Sequence, residues 1–172
     1  MIAFVLLAAV AVGVAVWRQV RPPIQHPRGE IKLYFATRDG LYLVPESRPL
    51  PAAAGLTSAE ERAFFIVRGL LAGPTQERLV PTLPPGTELL GLRIEGDVLT
   101  LDFNRALQEN HGGGSTGELA TVYSLVNSLV EGVPGVARVR FLIEGEPIET
   151  LVGHLDLSHP LAPDWSLVKP SP

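Results

Sequence analysis

Gly112-Gly113-Gly114-Ser115-Thr116-Gly117 has the G-x-G-x-x-G pattern. At a strand-to-helix turn such a run lets backbone amides approach a dinucleotide pyrophosphate. The chemistry requires the glycines directly after a parallel strand and an acidic residue about 20 positions on. Here residues 104–111 separate the preceding apolar run, which ends at Phe103, from Gly112, and the neighbourhood of position 137 is Val136-Ala137-Arg138. No Gly-Lys-Ser/Thr step is present, so a P-loop is excluded. The run reads as a glycine loop leading into a capped helix. His154-x-Asp156-x-x-His159 offers two imidazole nitrogens and a carboxylate of the kind that hold zinc. A turn in which Asp156 binds backbone amides uses the same residues without a metal. Asp102, His111 and Ser115 are the residue types of a hydrolytic triad. Ser115 stands in G-G-S-T-G, however, not in the G-x-S-x-G of a nucleophile elbow, and a capping duty accounts for it. The acid pairs Glu60-Glu61 and Glu144/Glu146 fall at a helix start and a turn, as solvated residues do. The expectation is a non-enzyme with no catalytic, cofactor-binding or metal residues.

The elements that hold these residues follow from local pattern. Ile31 to Ala36 predicts a short strand, Asp39-Gly40 a hairpin turn and Leu41 to Val44 a returning strand. Pro45, Pro49 and Pro51 confine that second strand to an edge or end it. Thr57 with Glu60, or Ser58 with Glu61, fits a capping box. A helix then runs to about Ala72, with Ala63, Phe64, Val67, Leu70 and Leu71 as its apolar stripe and Gly73-Pro74 as its stop. Phe65 lies on its less apolar side, as an exposed contact or as a rim residue of the core. A Pro-rich connection (74–87) leads to a hairpin, 89–95 and 98–103, turning at Gly96-Asp97. Leu90, Leu92, Ile94, Leu99, Leu101 and Phe103 alternate toward one face. Ser115 and Glu118 fit another capping box, opening a helix striped by Leu119, Val122, Tyr123, Val126, Leu129 and Val130. Val139, Phe141 and Ile143 mark the next strand, and Glu144-Gly145 turns into Ile148 to Leu151. The expected fold is α+β, in the order ββ-α-ββ-α-ββ: a mostly antiparallel or mixed sheet with two helices on one face.

Composition divides the 172 residues in two. Residues 2–17 are without charge or proline, and 17 of the first 20 are apolar. At ~1.5 Å per residue, 20 residues cross ~30 Å of hydrocarbon, so residues 1–20 read as a transmembrane signal-anchor with Trp17 and Arg18 at the interface. A cleaved signal peptide, or a buried core helix, is the alternative. Residues 21–30 read as a Pro-rich tether and 162–172 as a Pro-rich tail. The only charges in residues 1–28 are Arg18, Arg21 and Arg28, so the remainder holds 11 basic against 18 acidic residues, a formal -7. That balance argues against nucleic acid as a partner. The absence of cysteine excludes disulfides, thiolate metal sites and a lipidated cysteine. By charge alone, basic residues following the span place the rest of the chain in the cytoplasm; no basic leader precedes the span, which weakens that rule here.

Several blocks, in order, resemble the GerMN domain family of sporulation and spore-germination proteins. LYFATRDGLYLVPESRPLP is similar to its opening hairpin, ERAFFIVRGLLAGP to its first helix and stop, and LPPGTELLGLRIEGDVLTLDFN to its central hairpin. GGSTGELATVYSLVNSLVEGVPGVARVRFLIEGEPIETLVGHLDLSHPL is similar to its second helix, last hairpin and closing turn. The resemblance covers residues 31–161. It implies a bacterial envelope domain outside the cytoplasmic membrane, against the charge reading, with no known catalytic activity and no catalytic residues to carry over. It further implies a role through contact with other envelope proteins or with itself, in sporulation, germination or a cell-wall process. The alternative is a binding module for a small envelope ligand, such as a peptidoglycan fragment, held by the loop 104–117. Phe65, Gly112, Gly113 and Gly114 are the candidate interaction residues.

Overall fold

The computed structural model describes residues 29–50 and 58–169. The expected anchor (1–20), most of the tether, Pro51, Thr57 and the end of the tail lie outside the described residues. Among the described residues, no helix is long and apolar enough to cross a membrane.

β1 (Glu30–Thr37) and β2 (Leu43–Pro49) pair antiparallel from Glu30↔Pro49 to Ala36↔Leu43. β2 runs on through Pro45 to Pro49, beyond the expected stop at Val44. It can do so because it is the outer strand of a three-stranded sheet ordered β2-β1-β3, where a missing N–H deprives no neighbour. β3 is the short pair Leu79–Val80, which the Pro-rich composition of its surroundings concealed. β1 is buried on both faces. Ile31, Leu33 and Phe35 enter the main core, while Tyr34 and Ala36 join Leu43 in a smaller cluster.

Helix α1 (Ala59–Leu71) opens with the capping box read from its sequence. The Glu61 N–H donates to Ser58 Oγ at 3.1 Å, and the Ser58 N–H donates to the Glu61 carboxylate at 3.1 Å. Its buried stripe is Ala63, Ile66, Val67 and Leu70. The expected stripe included Phe64 instead of Ile66. Phe64 is 46% exposed and lies at the stripe's edge, where Arg68, one turn on, sits over its ring at 5.8 Å. Glu46 and Arg48 of β2 hold the helix's far end. Arg48 donates to the carbonyls of Gly69 and Gly73, and to Glu46, which also accepts the N–H groups of Thr75 and Gln76.

The second sheet is ordered β4-β5-β6-β7. β4 (Leu89–Glu95) and β5 (Val98–Phe103) form the expected hairpin at Gly96-Asp97. A bulge between Leu89 and Gly91 throws Leu90 out to 53% exposure, which breaks the expected alternation. β6 (Arg138–Ile143) lies parallel to β5. The crossover between them contains α2 (Ala106–Glu109), an element additional to the expected order, and α3 (Ser115–Gly132). β7 is only Glu146–Pro147; the strand expected at Ile148 to Leu151 is instead irregular chain. The domain is thus mixed α+β with two sheets in place of one. Leu99, Leu101 and Phe103 of β5 and Val139, Phe141 and Ile143 of β6 meet the buried faces of α1 and α3 in the main core.

α3 departs from its predicted start. Its N-cap is Gly114, with no side-chain cap, and Ser115 is its first residue. Glu118 does not turn back to close a capping box. It is fully buried, and its carboxylate accepts the Thr150 hydroxyl and the N–H groups of Leu151, Val152 and His154 at 2.7 to 3.0 Å. Four donors from one irregular segment outcompete the single amide a cap position offers. Further along, Ser128 Oγ accepts the Tyr34 N–H at 2.9 Å, so α3 lies along the edge of β1 where β3 does not reach.

Candidate functional site

The glycine loop forms one wall of a cleft of about 520 Å³. Pro81, Pro84 and Pro85 form the other wall, and the first turns of α3 close one end. The Pro-rich wall is fixed from below: Asn104 Nδ2 donates to the Gly86 carbonyl, Asn110 Nδ2 to the Pro85 carbonyl, and Thr121 Oγ1 to the Thr82 carbonyl at 2.6 Å. With its own proton so placed, Thr121 accepts from His111 Nε2 at 3.1 Å. His111 Nδ1 in turn accepts the Gly113 N–H at 3.0 Å. These directions assign the ring proton to Nε2 and show that His111 orients the glycine loop. Gly113 (φ +78) and Gly114 (φ +81) take conformations that L side chains rarely adopt, and a Cβ at either would meet open space. The Thr82 hydroxyl, also in this lining, is the one buried side-chain polar atom among the described residues without a hydrogen-bond partner.

A second, narrower groove of about 210 Å³ shares Gly40, Thr116 and Ala120 with the first. Leu41, Tyr42, Leu43, Leu119 and Leu167 line the rest of it. Leu41 is 63% exposed and Tyr42 41%. Trp165, 45% exposed, lies with its ring 6.0 Å from that of Tyr34. Burial, and then the hydrogen bond and negative charge of Glu131, push the Tyr34 hydroxyl well above its ordinary range, so it stays a donor. The whole surface is predominantly apolar, with exposed backbone and hydroxyl groups of the glycine loop along one side. The Thr121 hydroxyl gives its proton to the Thr82 carbonyl and so receives one from His111, the reverse of a base activating a nucleophile.

Gly112, Gly113 and Gly114 are all exposed, and the first two line the cleft while Gly114 lies outside its lining. Phe65 is half-buried and packs against the core, whereas Phe64 beside it is exposed. The dinucleotide-like run follows α2, not a strand. Asp102 accepts the Gly145 N–H at 2.9 Å, away from His111, and Ser115 is exposed at the helix start. Asp156 accepts the Ser158 N–H and hydroxyl, which hold its carboxyl below the usual range. Among the described residues, no three metal-ligating side chains converge. Sequence reasoning missed Leu41 and Tyr42, exposed at the hairpin end of β1, and Trp165, which the fold sets beside Tyr34 partway along that strand. The buried polar row Thr121, Ser124, Asn127 and Ser128 on α3 was its available signal, since polar residues inside an apolar stripe mark fixed neighbours.

The sequence profile of the Germane family, described as sporulation and spore germination, matches residues 32–149. A search among curated proteins finds no match. Among solved structures, the chain is similar to a candidate lipoprotein from Clostridium perfringens, at 25% identity and a TM-score of 0.57, over 78% of this chain and 88% of that one. It is similar in fold to the first GerMN domain of the sporulation protein GerM from Bacillus subtilis, at 21% identity and a TM-score of 0.60, over 77% and 96% of the two chains. Against the tandem GerMN domains of the same protein the values are 18% and 0.62, over 81% of this chain and 47% of that one. With its profile match spanning more than half of its length and GerMN folds among its structural matches, the chain belongs to the Germane family of sporulation and spore germination domains, and its domain is GerMN-like.

Proposed function

We propose that the chain is a non-catalytic, membrane-tethered module on the extracytoplasmic side of a bacterial envelope, working by contact with another envelope protein. The apolar surface around Leu41, Tyr42 and Trp165 carries this reading. β1 runs eight residues from Glu30, where the described domain begins, to Thr37 at the hairpin end. At ~3.3 Å per residue the apolar end stands roughly 25 Å along the strand from Glu30, which leaves room for a partner there if the chain is held at a membrane through its first residues. Apolar surface so placed serves a protein partner, and the tether supplies local concentration. Likeness to a candidate lipoprotein and to a sporulation protein's domains supports an envelope location. A photo-reactive residue at position 41 should give a discrete cross-linked species in intact cells, and Trp165→Ser should remove it while leaving the domain folded. Cross-linking at position 41 no greater than at an exposed position on another face, such as Glu149, would refute the reading. Protease added outside should reach the domain, and loss of residues 1–20 should release it from membranes.

The 520 Å³ cleft favours a second reading, a small envelope ligand such as a peptidoglycan fragment, because the glycine loop held by His111 presents exposed backbone at its wall. Titration with a muropeptide should shift the amide resonances of Gly112 to Gly114, and deletion of those glycines should abolish binding. Unchanged spectra at millimolar muropeptide would eliminate this reading.

A further inference from the structure

The two sheets end in four outer edges, and three of them are closed to further pairing. β2 carries Pro45 and Pro49, and its Leu43 carbonyl already accepts the Lys169 N–H. β3 is two residues long and runs into Pro81. β7 is two residues long and ends in Pro147. Short strands and prolines are the devices by which folded proteins blunt their edges. β4 has neither: it is seven residues long, contains no proline, and no described strand pairs with its outer side. The bulge at Leu89/Gly91 interrupts only its first half, leaving Leu92 to Glu95 regular.

The turn at Gly96-Asp97 closes on the Glu95↔Val98 pair, and Arg93 pairs with Thr100. Groups alternate in an antiparallel ladder, so Glu95 and Arg93 direct their N–H and C=O toward β5 while Leu92 and Ile94 direct theirs outward. The side chains of Leu92 and Ile94 are half-buried at the rim of the core. Those of Arg93 and Glu95 are 59% and 71% exposed, joined to each other at 3.4 Å. Such an exposed pair contributes little where it stands and is free to re-pair.

We propose that β4 is a self-complementary edge that pairs antiparallel with β4 of a second copy, about a two-fold axis at Ile94. This rests on the reading of the chain as an interaction module and names one of its partners as itself. The axis at Ile94 is the placement that satisfies backbone and charge together. Ile94 meets Ile94 of the second copy as a hydrogen-bonded pair, and Leu92 meets Gly96. Between them Arg93 faces Glu95 of the second copy, and by symmetry Glu95 faces Arg93, as two opposite-charge cross-strand pairs. An axis one residue away, at Arg93, sets arginine against arginine and turns both strands' free groups out of register. The two four-stranded sheets become one eight-stranded sheet. The charges that discourage unrelated strands specify this one. A contact of four or five residues per strand is weak in dilute solution, and confinement to a membrane surface raises its effective concentration.

The test uses full-length chains carrying donor or acceptor dyes at the C terminus, co-reconstituted into phosphatidylcholine vesicles. Wild-type chains should show energy transfer that rises with surface density. Arg93→Glu and Glu95→Arg, each alone, set like charges opposite one another twice and should weaken association about tenfold. Mixing the two variants restores both opposite-charge pairs and should restore transfer, as should the double swap R93E/E95R. Both positions are exposed, so the variants should fold as the wild type does. Wild-type transfer insensitive to all three variants overturns pairing through β4 while leaving self-association intact. Absence of transfer at every density overturns self-pairing altogether, and leaves contact through Leu41 and Trp165 to its own cross-linking test.

Discussion

Replacing Glu118 should detach the irregular chain after β7 from α3. The carboxylate is completely buried and accepts four hydrogen bonds, from the Thr150 hydroxyl and the N–H groups of Leu151, Val152 and His154. Hydrogen bonds to a charged group contribute about 1.5–3 kcal/mol each, but bonds sharing one acceptor group do not add. Glu118→Ala leaves all four donors short of a partner and a void beside Leu151, so a loss of about 3–5 kcal/mol is expected. That is a large part of the ~5–15 kcal/mol typical of a domain. Glu118→Gln keeps the shape but turns an NH₂ toward N–H donors, and should cost about 1–3 kcal/mol. Burial pushes the Glu118 carboxyl up, yet the bonds from Thr150, Val152, His154 and Leu151 together outweigh it and hold the group below its ordinary value. A group whose pKa is depressed in the folded state contributes stability above its unfolded pKa, and that contribution is lost as pH falls through the folded one. The wild type should therefore lose stability below about pH 4.5, and the difference between wild type and Glu118→Gln should shrink there. Urea unfolding at pH 7 and pH 3.5, with hydrogen exchange at Leu151, Val152 and His154, measures both effects. Wild-type stability and amide protection in Glu118→Gln at pH 7 would refute the reasoning.

Arg48→Ala should free the last turn of α1, because Arg48 donates to Gly69 and Gly73 and neutralises the buried Glu46; a loss of about 2–4 kcal/mol is expected by urea unfolding. Glu46 is also held below the ordinary carboxyl range, since its bonds to Arg48, Gln76 and Thr75 outweigh the opposing effect of its burial, and its contribution should likewise fade in acid. Gly132→Ala would drive a Cβ into Ile66 Cδ1 and should cost about 1–3 kcal/mol; Ile66→Val removes that methyl group, so the double variant should be less destabilised than the two single losses summed. Ser128→Ala leaves the buried Tyr34 N–H without its acceptor and should cost about 1–3 kcal/mol, with faster exchange at that amide.

Features encoded by neighbouring residues were legible in the sequence. Ser58 and Glu61 are three positions apart and form the cap their types predict. Gly96-Asp97 and Glu144-Gly145 each turn a hairpin, the latter with both residues at positive φ. What escaped depends on partners remote in the chain. Glu118 looked like a capping glutamate because Thr150 to His154 lie 32 to 36 positions away. The parallel pairing of β5 with β6 and the division into two sheets leave no mark on the alternation of single strands. Phe64 exchanged places with Ile66 because a stripe has an edge, and composition does not say which aromatic residue stands on it. The glycine loop was found from its residues; the proline wall opposite, and the His111–Thr121–Thr82 chain joining the two, required the fold.

The strap after β7 also bears on the order in which the molecule becomes complete. Leu161 bridges Val139, Asp164 exchanges hydrogen bonds with Asn127, and the Lys169 N–H reaches Leu43 in the second strand. Synthesis proceeds from the N terminus, so β1, β2 and α1 exist long before these closing residues. Until position 169 emerges, Leu43, Tyr34 and Ala36 lack the cover of Leu167 and Val168. A chain stalled before that point has made most of its core but leaves the first hairpin greasy and unclosed. The nascent domain is thus marked as unfinished at the very end that later presents Leu41 and Tyr42, and a chaperone or protease reading apolar surface there would distinguish partial chains from whole ones.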